Sequence, residues 1–96
     1  MKNNFISILI TNYNKEIFLK NCLDSLKKQN FQNFEVIIFD DCSTDKSLSI
    51  IKKYSKFRLI KNKKRRNTSA PLNQINGIMK AFKKSKGNII CLMDSD

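Results

Sequence analysis

Three short polar segments hold most of the residue types in this chain that could do chemistry, and each follows a run of apolar residues. They are residues 11–14, residues 40–45 and residues 94–96, and together they contain five of the eight acidic residues. The chain contains no histidine. Ser-His-Asp and Cys-His catalysis are therefore excluded within it, and acid–base chemistry would fall to carboxylates.

The carboxylates of these segments suit a hard divalent cation. Oxygen ligands favour Mg²⁺ or Mn²⁺, which usually keep water and bind one or two carboxylates together with phosphates of a ligand. The glycine-rich phosphate-binding sequences GxGxxG and GxxxxGK[ST] are absent, since the only glycines are Gly77 and Gly87. The sequence therefore favours a nucleoside diphosphate held through a metal over a dinucleotide or P-loop site.

Each segment also has a purely structural interpretation. Asp45 or Ser43 could cap a helix, residues 11–14 could form an ordinary turn, and Asp40 with Asp41 could be a solvated turn. The functional interpretation depends on all three segments lying at one edge of the fold.

The residues between the polar segments predict four strands that alternate with three helices. Short β-branched or apolar runs predict strands at residues 5–10, 34–39, 57–60 and 88–93. Apolar residues at helical spacing predict the helices, through Phe18, Leu19, Cys22, Leu23 and Leu26, then Leu48, Ile51 and Tyr54, then Leu72, Ile75, Ile78, Met79 and Phe82. This alternation predicts a Rossmann-like three-layer α/β/α domain with a four-stranded, mostly parallel sheet in β-α-β-α-β-α-β order.

The carboxyl ends of parallel strands meet at one edge of a sheet, and ligands bind just beyond them. We therefore expect Thr11, Asp41 and Asp96 to share one rim, although each belongs to a different polar segment.

The net charge of +11 comes entirely from the second half of the chain. Residues 51–96 hold thirteen Lys or Arg and two acids, whereas charges cancel in residues 1–50. A basic half indicates anionic partners, namely nucleotide phosphates, nucleic acid or a phospholipid surface. The alternative is compositional, because lysine and asparagine make up 28 of the 96 residues. We expect the basic loop, residues 61–66, to be mobile without ligand and to lie near a diphosphate or a membrane.

The cysteine content and the hydropathy of the sequence indicate the cellular compartment in which the protein is expected. Cys22, Cys42 and Cys91 are widely spaced and odd in number, so we expect buried or half-buried free thiols. The apolar runs are strand-sized, too short for a signal-peptide core or a membrane span. The expected location is the cytoplasm, with peripheral contact at the inner face of the membrane as an option.

Three sequence motifs resemble those of family 2 glycosyltransferases, in the order and spacing of that family. They are residues 7–14 (SILITNYN), residues 39–45 (FDDCSTD) and residues 92–96 (LMDSD). The family consists of inverting enzymes with the A-type nucleotide-sugar fold. The resemblance implies that residues 1–96 are the nucleotide-sugar-binding half of a glycosyltransferase domain, truncated after the D-x-D motif.

The resemblance also implies roles for residues of the first two motifs. Thr11 and Tyr13 are similar to residues that contact the base, with Tyr13 able to stack on it, and Asn12 and Asn14 are nucleotide-binding candidates beside them. Asp41 is similar to the carboxylate that holds the uracil or ribose side of the nucleotide, and Asp40 lies next to it.

The third motif resembles the D-x-D signature, whose carboxylates bind a diphosphate-bridging metal or the ribose of the donor. This implies Asp94 and Asp96 as ligands of Mg²⁺ or Mn²⁺, with Asp94 also contacting the nucleotide. Where the family often has an arginine near the diphosphate, residues 67–77 contain none. We expect Gln74 or Asn73 to substitute for it, or Arg65 or Arg66 to reach over.

The expected function is transfer of a sugar from a nucleoside-diphosphate donor, preferably a UDP-sugar, to a saccharide or lipid-linked acceptor with inversion. The catalytic base is expected beyond residue 96, so the 96-residue chain alone would be inactive. The alternatives are a non-catalytic nucleotide-binding remnant and a basic module for nucleic acid or another anionic surface. No sequence-specific nucleic-acid partner is expected, because stacking-surface and helix-turn-helix patterns are absent.

Overall fold

The structure, a computed structural model, describes residues 4–29, 33–65 and 69–94, and for Asp94 the backbone alone. Strands and helices alternate along the chain. Their order is β1 (Ile6–Asn12), α1 (Glu16–Lys27), β2 (Phe34–Asp40), α2 (Ser47–Ile51), β3 (Arg58–Lys61), α3 (Ala70–Lys83) and β4 (Ile89–Asp94).

The four strands form one parallel sheet in the order β3-β2-β1-β4. Strand β1 pairs with β2 from Ile6↔Phe34 to Asn12↔Asp40 and with β4 as far as Thr11↔Asp94. The connections after β1 and β2 run toward one edge, and the connection after β3 returns past β1 to the other. The carboxyl end of β1 is therefore the point at which the strand order reverses, where ligands bind in sheets of this kind.

Helices cover both faces of the sheet, so the predicted three-layer α/β/α fold is confirmed. On one face, Ile8 and Ile10 of β1 pack with Leu19 and Leu23 of α1 and with Ile51 of α2. On the other face, a smaller core cluster joins Leu9, Ile37 and Ala81, the last of which belongs to α3. Side chains that alternate along β1 thus serve two separate cores.

The apolar stripe that predicted helix α3 is not the side of the helix that packs on the sheet. The helix buries Asn73, Gly77 and Ala81, whereas four of its large apolar residues are more than half exposed: Leu72, Ile75, Met79 and Phe82. The cause is a close helix–sheet approach at Gly77. A Cβ there would lie 2.5 Å from Cδ2 of Phe39 and 3.0 Å from Cγ2 of Thr11, so the sheet-facing side of α3 must be small.

Two smaller expectations also differ from the structure. Helix α2 ends at Ile51, and Tyr54 beyond it stacks on Phe57 with ring centroids 5.5 Å apart. Cys22 and Cys42 are half-buried free thiols as expected, but Cys91, on the edge strand β4, is exposed. Within the described ranges, every helix falls short of the length and hydropathy that a membrane span requires.

Candidate functional site

Asp40 organises the loop that follows β2. Its carboxylate is buried, with 1% exposed. Oδ1 accepts hydrogen bonds from Nδ2 of Asn12 at 3.0 Å and from the Ser43 hydroxyl at 2.7 Å, and Oδ2 accepts one from the Ser43 amide at 2.9 Å. Asp40 therefore joins the ends of β1 and β2 and has its charge compensated by protein donors.

Side-chain hydrogen bonds connect the β1–α1 loop to the β2–α2 loop. Asn14 has a positive φ of 52°, and its Oδ1 accepts hydrogen bonds from the amides of Thr44 and Asp45 at 2.7 and 3.2 Å. Its own amide donates to the Ser43 hydroxyl at 3.0 Å. Asn14 thus shapes the rim and is not among the residues that line the pocket described below.

Asp45 holds the first residues of two helices. Its carboxylate accepts hydrogen bonds from the amide of Glu16 in α1 at 3.1 Å and from the amide of Ser47 in α2 at 2.9 Å. Burial raises the pKa of Asp45, but the hydrogen bonds from Ser47 and Glu16 outweigh it and hold the pKa below its usual value. The structural interpretation of Asp45 therefore matches its contacts.

Unlike the Asp40 side chain, the side chain of Asp41 contacts the basic loop. It is 6% exposed, and its carboxylate accepts hydrogen bonds from Nδ2 of Asn62 at 2.8 Å and from Nε of Arg65 at 3.0 Å. The Arg65 guanidinium carbon lies 3.7 Å from the centroid of the Tyr13 ring. Arg65, expected only as one option near a diphosphate, instead bridges the two residues expected to hold the base and ribose.

The next residue, Cys42, turns the chain between these two environments with a φ of 62°. Left-handed backbone costs about 1–2 kcal/mol for a residue with a Cβ. The Cys42 thiol donates to the carbonyl oxygen of Asn62 at 3.3 Å, which helps to hold the turn.

A pocket of about 340 Å³ lies at the carboxyl ends of β1 and β2. Its walls come from both loops, the basic loop and the first turn of α3, through Thr11, Asn12, Tyr13, Lys15, Phe39, Asp41, Arg65, Ala70, Asn73 and Gln74. The structure therefore brings together five predicted site residues (Thr11, Asn12, Tyr13, Asp41 and Gln74), while Asp40 and Asn14 support the loops behind them.

Three pocket residues, Lys15, Phe39 and Ala70, were missed by the sequence analysis. Lys15 is one of many lysines, Phe39 belongs to a buried strand and Ala70 has no polar side chain, so none carried a distinguishing signal. Asn12 adds a further polar feature, because its Oδ1 is buried and finds no hydrogen-bond donor among the described residues. That oxygen can accept a hydrogen bond from a ligand.

The third motif reaches the same rim through its backbone. Asp94 pairs with Thr11 at the carboxyl end of β1, whereas the Asp94 side chain, Asp96 and Arg66 lie outside what the structure describes. No group of three or more His, Cys, Asp or Glu side chains converges within the described residues. Asp94 and Asp96 therefore stay predicted metal ligands.

Comparison with known proteins places this geometry in a family. The sequence profile of "Glycosyl transferase family 2" matches residues 7–96. The poly(ribitol-phosphate) beta-N-acetylglucosaminyltransferase TarS of Staphylococcus aureus is 37% identical over 93 residues, which span 94% of this chain and 16% of that protein. The poly(ribitol-phosphate) beta-glucosyltransferase of Bacillus spizizenii is 38% identical over 95 residues, 95% of this chain and 14% of that protein.

Solved structures show the same fold. The crystal structure of S. aureus TarS 1-349 superposes with a TM-score of 0.83 at 30% identity, covering 96% of this chain and 27% of that one. The mannosyltransferase PcManGT of Pyrobaculum calidifontis gives a TM-score of 0.82 at 19% identity over 100% of this chain and 28% of its own, which supports the fold alone. The chain thus spans less than a third of each of these proteins, and over that span it belongs to glycosyl transferase family 2.

Proposed function

We propose that this chain is the donor-binding half of a glycosyltransferase and that it holds a nucleoside-diphosphate sugar, preferably a UDP-sugar. The observation that carries the proposal is the pocket at the carboxyl ends of β1 and β2, which both Tyr13 and Asp41 line and where Arg65 contacts both. Both residues belong to motifs that the family profile matches. A structure of S. aureus TarS 1-349 in complex with UDP is among the similar structures.

Each wall of the pocket has a role in this proposal. The Tyr13 ring already accepts a flat cation, Arg65, against its face, and a nucleotide base is a flat group of similar size. Asp41 accepts hydrogen bonds from a ribose hydroxyl or a base edge. Asn12 offers its buried Oδ1, and Gln74 approaches from α3. Asp41 is already paired with Asn62 and Arg65, so a ligand that displaces Arg65 without supplying a donor of its own leaves the carboxylate poorly paired, which costs about 1–3 kcal/mol.

The metal part of the proposal concerns Asp94 and Asp96. Both belong to the third motif, and Asp94 lies at the rim beside Thr11, so they would hold Mg²⁺ or Mn²⁺ together with the diphosphate. When bound, such an ion stabilises the negative charge that develops on the leaving diphosphate. The structure of PcManGT contains GDP-Man and Mn²⁺, and that of a mycobacterial glucosyl-3-phosphoglycerate synthase contains UDP and Mn²⁺.

The proposed reaction is displacement at the anomeric carbon of the donor sugar. An acceptor hydroxyl forms the new C–O bond as the bond to the diphosphate oxygen breaks, with inversion, and a general base takes the hydroxyl proton. The base and the acceptor site are expected beyond residue 96, so we expect no transfer by residues 1–96 alone. The acceptor is a saccharide or a lipid-linked molecule, and location in the cytoplasm or at the inner membrane face stays a prediction.

The test is a calorimetric titration of UDP, GDP and ADP with and without Mn²⁺, on the parent chain, on Asp41→Asn and on Asp24→Asn. The two variants lose the same charge, but Asp24 lies on α1, outside the pocket. We expect a preference for UDP that Mn²⁺ strengthens, and a loss of about tenfold or more in Asp41→Asn alone. Equal binding of all three nucleotides by parent and variants would mean that the basic surface attracts phosphates without a donor site.

A further inference from the structure

The side of α3 that faces away from the sheet is a continuous apolar surface, which we call the α3 outer face. It consists of Leu72, Ile75, Met79 and Phe82, with 57, 53, 58 and 55% of each residue exposed. Their spacing of three, four and three residues places them in one stripe. The residues that α3 buries, Asn73, Gly77 and Ala81, lie on the opposite side of the helix, against the sheet.

The direction of the α3 outer face limits what can cover it. Another helix in the same layer would pack on the sheet beside α3 and contact its flanks. A stripe that points directly away from the sheet is instead covered by something that approaches from outside this layer. The four side chains are large enough for the contact to matter, because the free energy gained on burial grows with the apolar area removed from water.

Charge identifies the chemistry of the occupant. Residues 62–93 contain eight Lys or Arg and no acidic residue. Lys83 lies in the last turn of α3, and the side chains of Lys63 and Lys64 are exposed in the loop that leads toward it. Lys80 of the same turn is directed toward the sheet, with its Nζ 5.9 Å from the centroid of the Phe39 ring. A symmetric contact with a second copy would place these like charges against each other. An anionic surface would compensate them.

We propose that the α3 outer face docks on an anionic phospholipid membrane, with its apolar side chains at the boundary between headgroups and acyl chains and the neighbouring lysines on lipid phosphates. An apolar stripe flanked by lysine is the composition of helices that lie in the plane of a membrane interface. The biological role of this docking rests on the proposed function, since a transferase held at the membrane meets a lipid-linked acceptor there. Its binding test does not require sugar transfer.

The experiment is sedimentation of the intact protein with vesicles made of equal parts phosphatidylcholine and phosphatidylglycerol, compared with phosphatidylcholine alone. The test variant combines Ile75→Ser, Met79→Ser and Phe82→Ser. Its matched control combines Ile17→Ser and Phe18→Ser, which are 72 and 53% exposed on α1. We expect partitioning onto the anionic vesicles to fall about tenfold or more in the α3 variant and to stay unchanged in the control, because interfacial binding scales with buried apolar area.

A charge variant, Lys63→Gln with Lys83→Gln, should weaken the same binding severalfold and reduce its dependence on salt. Circular dichroism checks that each variant folds, which is expected because the replaced side chains are exposed. Equal loss in the α3 variant and the α1 control, or equal binding of parent protein to both vesicle types, would overturn the proposal. So would a dimer, seen by ultracentrifugation, that only the α3 variant dissociates.

The same variants separate this inference from the proposed function. UDP titration should be unchanged in the α3 variant, because the replaced residues lie outside the pocket wall. A parent protein that binds UDP but not anionic vesicles would refute the membrane surface and leave the donor site standing. A parent protein that binds vesicles but not UDP would refute the donor site and leave the membrane surface standing.

Discussion

Neighbouring carboxylates in this chain have different roles because the backbone aims them in different directions. Asp40 is the last residue of β2 and turns into the loop, where Asn12 and Ser43 donate to it. Asp41 follows it and faces the pocket, where Asn62 and Arg65 donate to it. The side-chain alternation of an extended chain is enough to separate them. Whether a carboxylate faces the pocket or supports a loop therefore depends on the direction in which the backbone places its side chain.

Glu35 shows the same dependence at the amino end of the sheet. Its carboxylate accepts hydrogen bonds from the Ser7 hydroxyl and the Lys86 amide, both at 2.6 Å, and it lies 3.4 Å from Nη1 of Arg58. Burial raises the pKa of Glu35, but the hydrogen bonds from Ser7 and Lys86 and the charge of Arg58 outweigh it and hold the pKa below its usual value.

We expect this carboxylate to make stability depend on acid. Because its pKa is lower in the folded state, its contribution is complete above the usual value of 4.5 and disappears as the pH falls through the folded-state pKa. Glu35→Gln should lose about 1 kcal/mol at pH 7 and approach the parent in acid. Urea unfolding across pH measures this, with Glu16→Gln as the charge-matched control. A difference between Glu35→Gln and parent that is constant with pH would contradict the assignment.

At the scale of elements, one side chain sets the start of two helices. Asp45 accepts hydrogen bonds from the first residues of α1 and α2, and the two helices share a core through Leu19 and Ile51. The loops at the rim are therefore positioned by the same contacts that begin the helices, and the pocket inherits its shape from them.

We expect Asp45→Ala to lower the free energy of unfolding by about 1–2 kcal/mol, since amides at both helix starts lose their acceptor. Thr44→Ala is the matched control. The Thr44 amide that donates to Asn14 is retained in alanine, and the side chain is exposed. Denaturant unfolding followed by circular dichroism compares the two. Equal loss in both variants would show that Asp45 does not hold the helix starts.

For the molecule as a whole, exposed apolar surface is concentrated on the α3 side. Within the described residues β4 pairs only with β1, and Leu92 and Ile90 on that strand are 57 and 37% exposed. Leu92 is paired with Leu9, which belongs to the core cluster beneath α3, so it lies on the sheet face that α3 covers only in part. An edge strand with exposed apolar residues invites pairing with another chain.

We therefore expect Leu92→Lys to reduce self-association of the 96-residue chain, because a charge on an edge strand opposes strand addition. Ile17→Lys, at a residue that is 72% exposed on α1, adds the same charge away from the edge and should have a smaller effect. Light scattering against protein concentration measures both. If the two variants behave alike, net charge and not the β4 edge governs association.

Much of the architecture follows from local patterns in the sequence. Short apolar runs and helical stripes predicted the order of the seven elements, and the strand–helix alternation predicted a parallel sheet with one functional rim. Thr11, Asp41 and Asp96 were predicted to share one rim; Thr11 and Asp41 line one pocket, and Asp96 lies outside the described residues. These features could be predicted because they depend on local periodicity and on the chirality of crossover connections.

The sequence by itself determined the element order, the charge imbalance and the polar residues available at each strand end. Tertiary structure decided which of these residues line the pocket and which hold a loop, as the contrast between Asp41 and Asp40 shows. It also decided that α3 turns Gly77 toward the sheet and its large apolar residues outward. The physical reason is that the space between the α3 backbone and the side chains of Phe39 and Thr11 depends on residues that are far apart in the sequence. A helical stripe shows which residues share a face, but the space left by the sheet determines which face is buried.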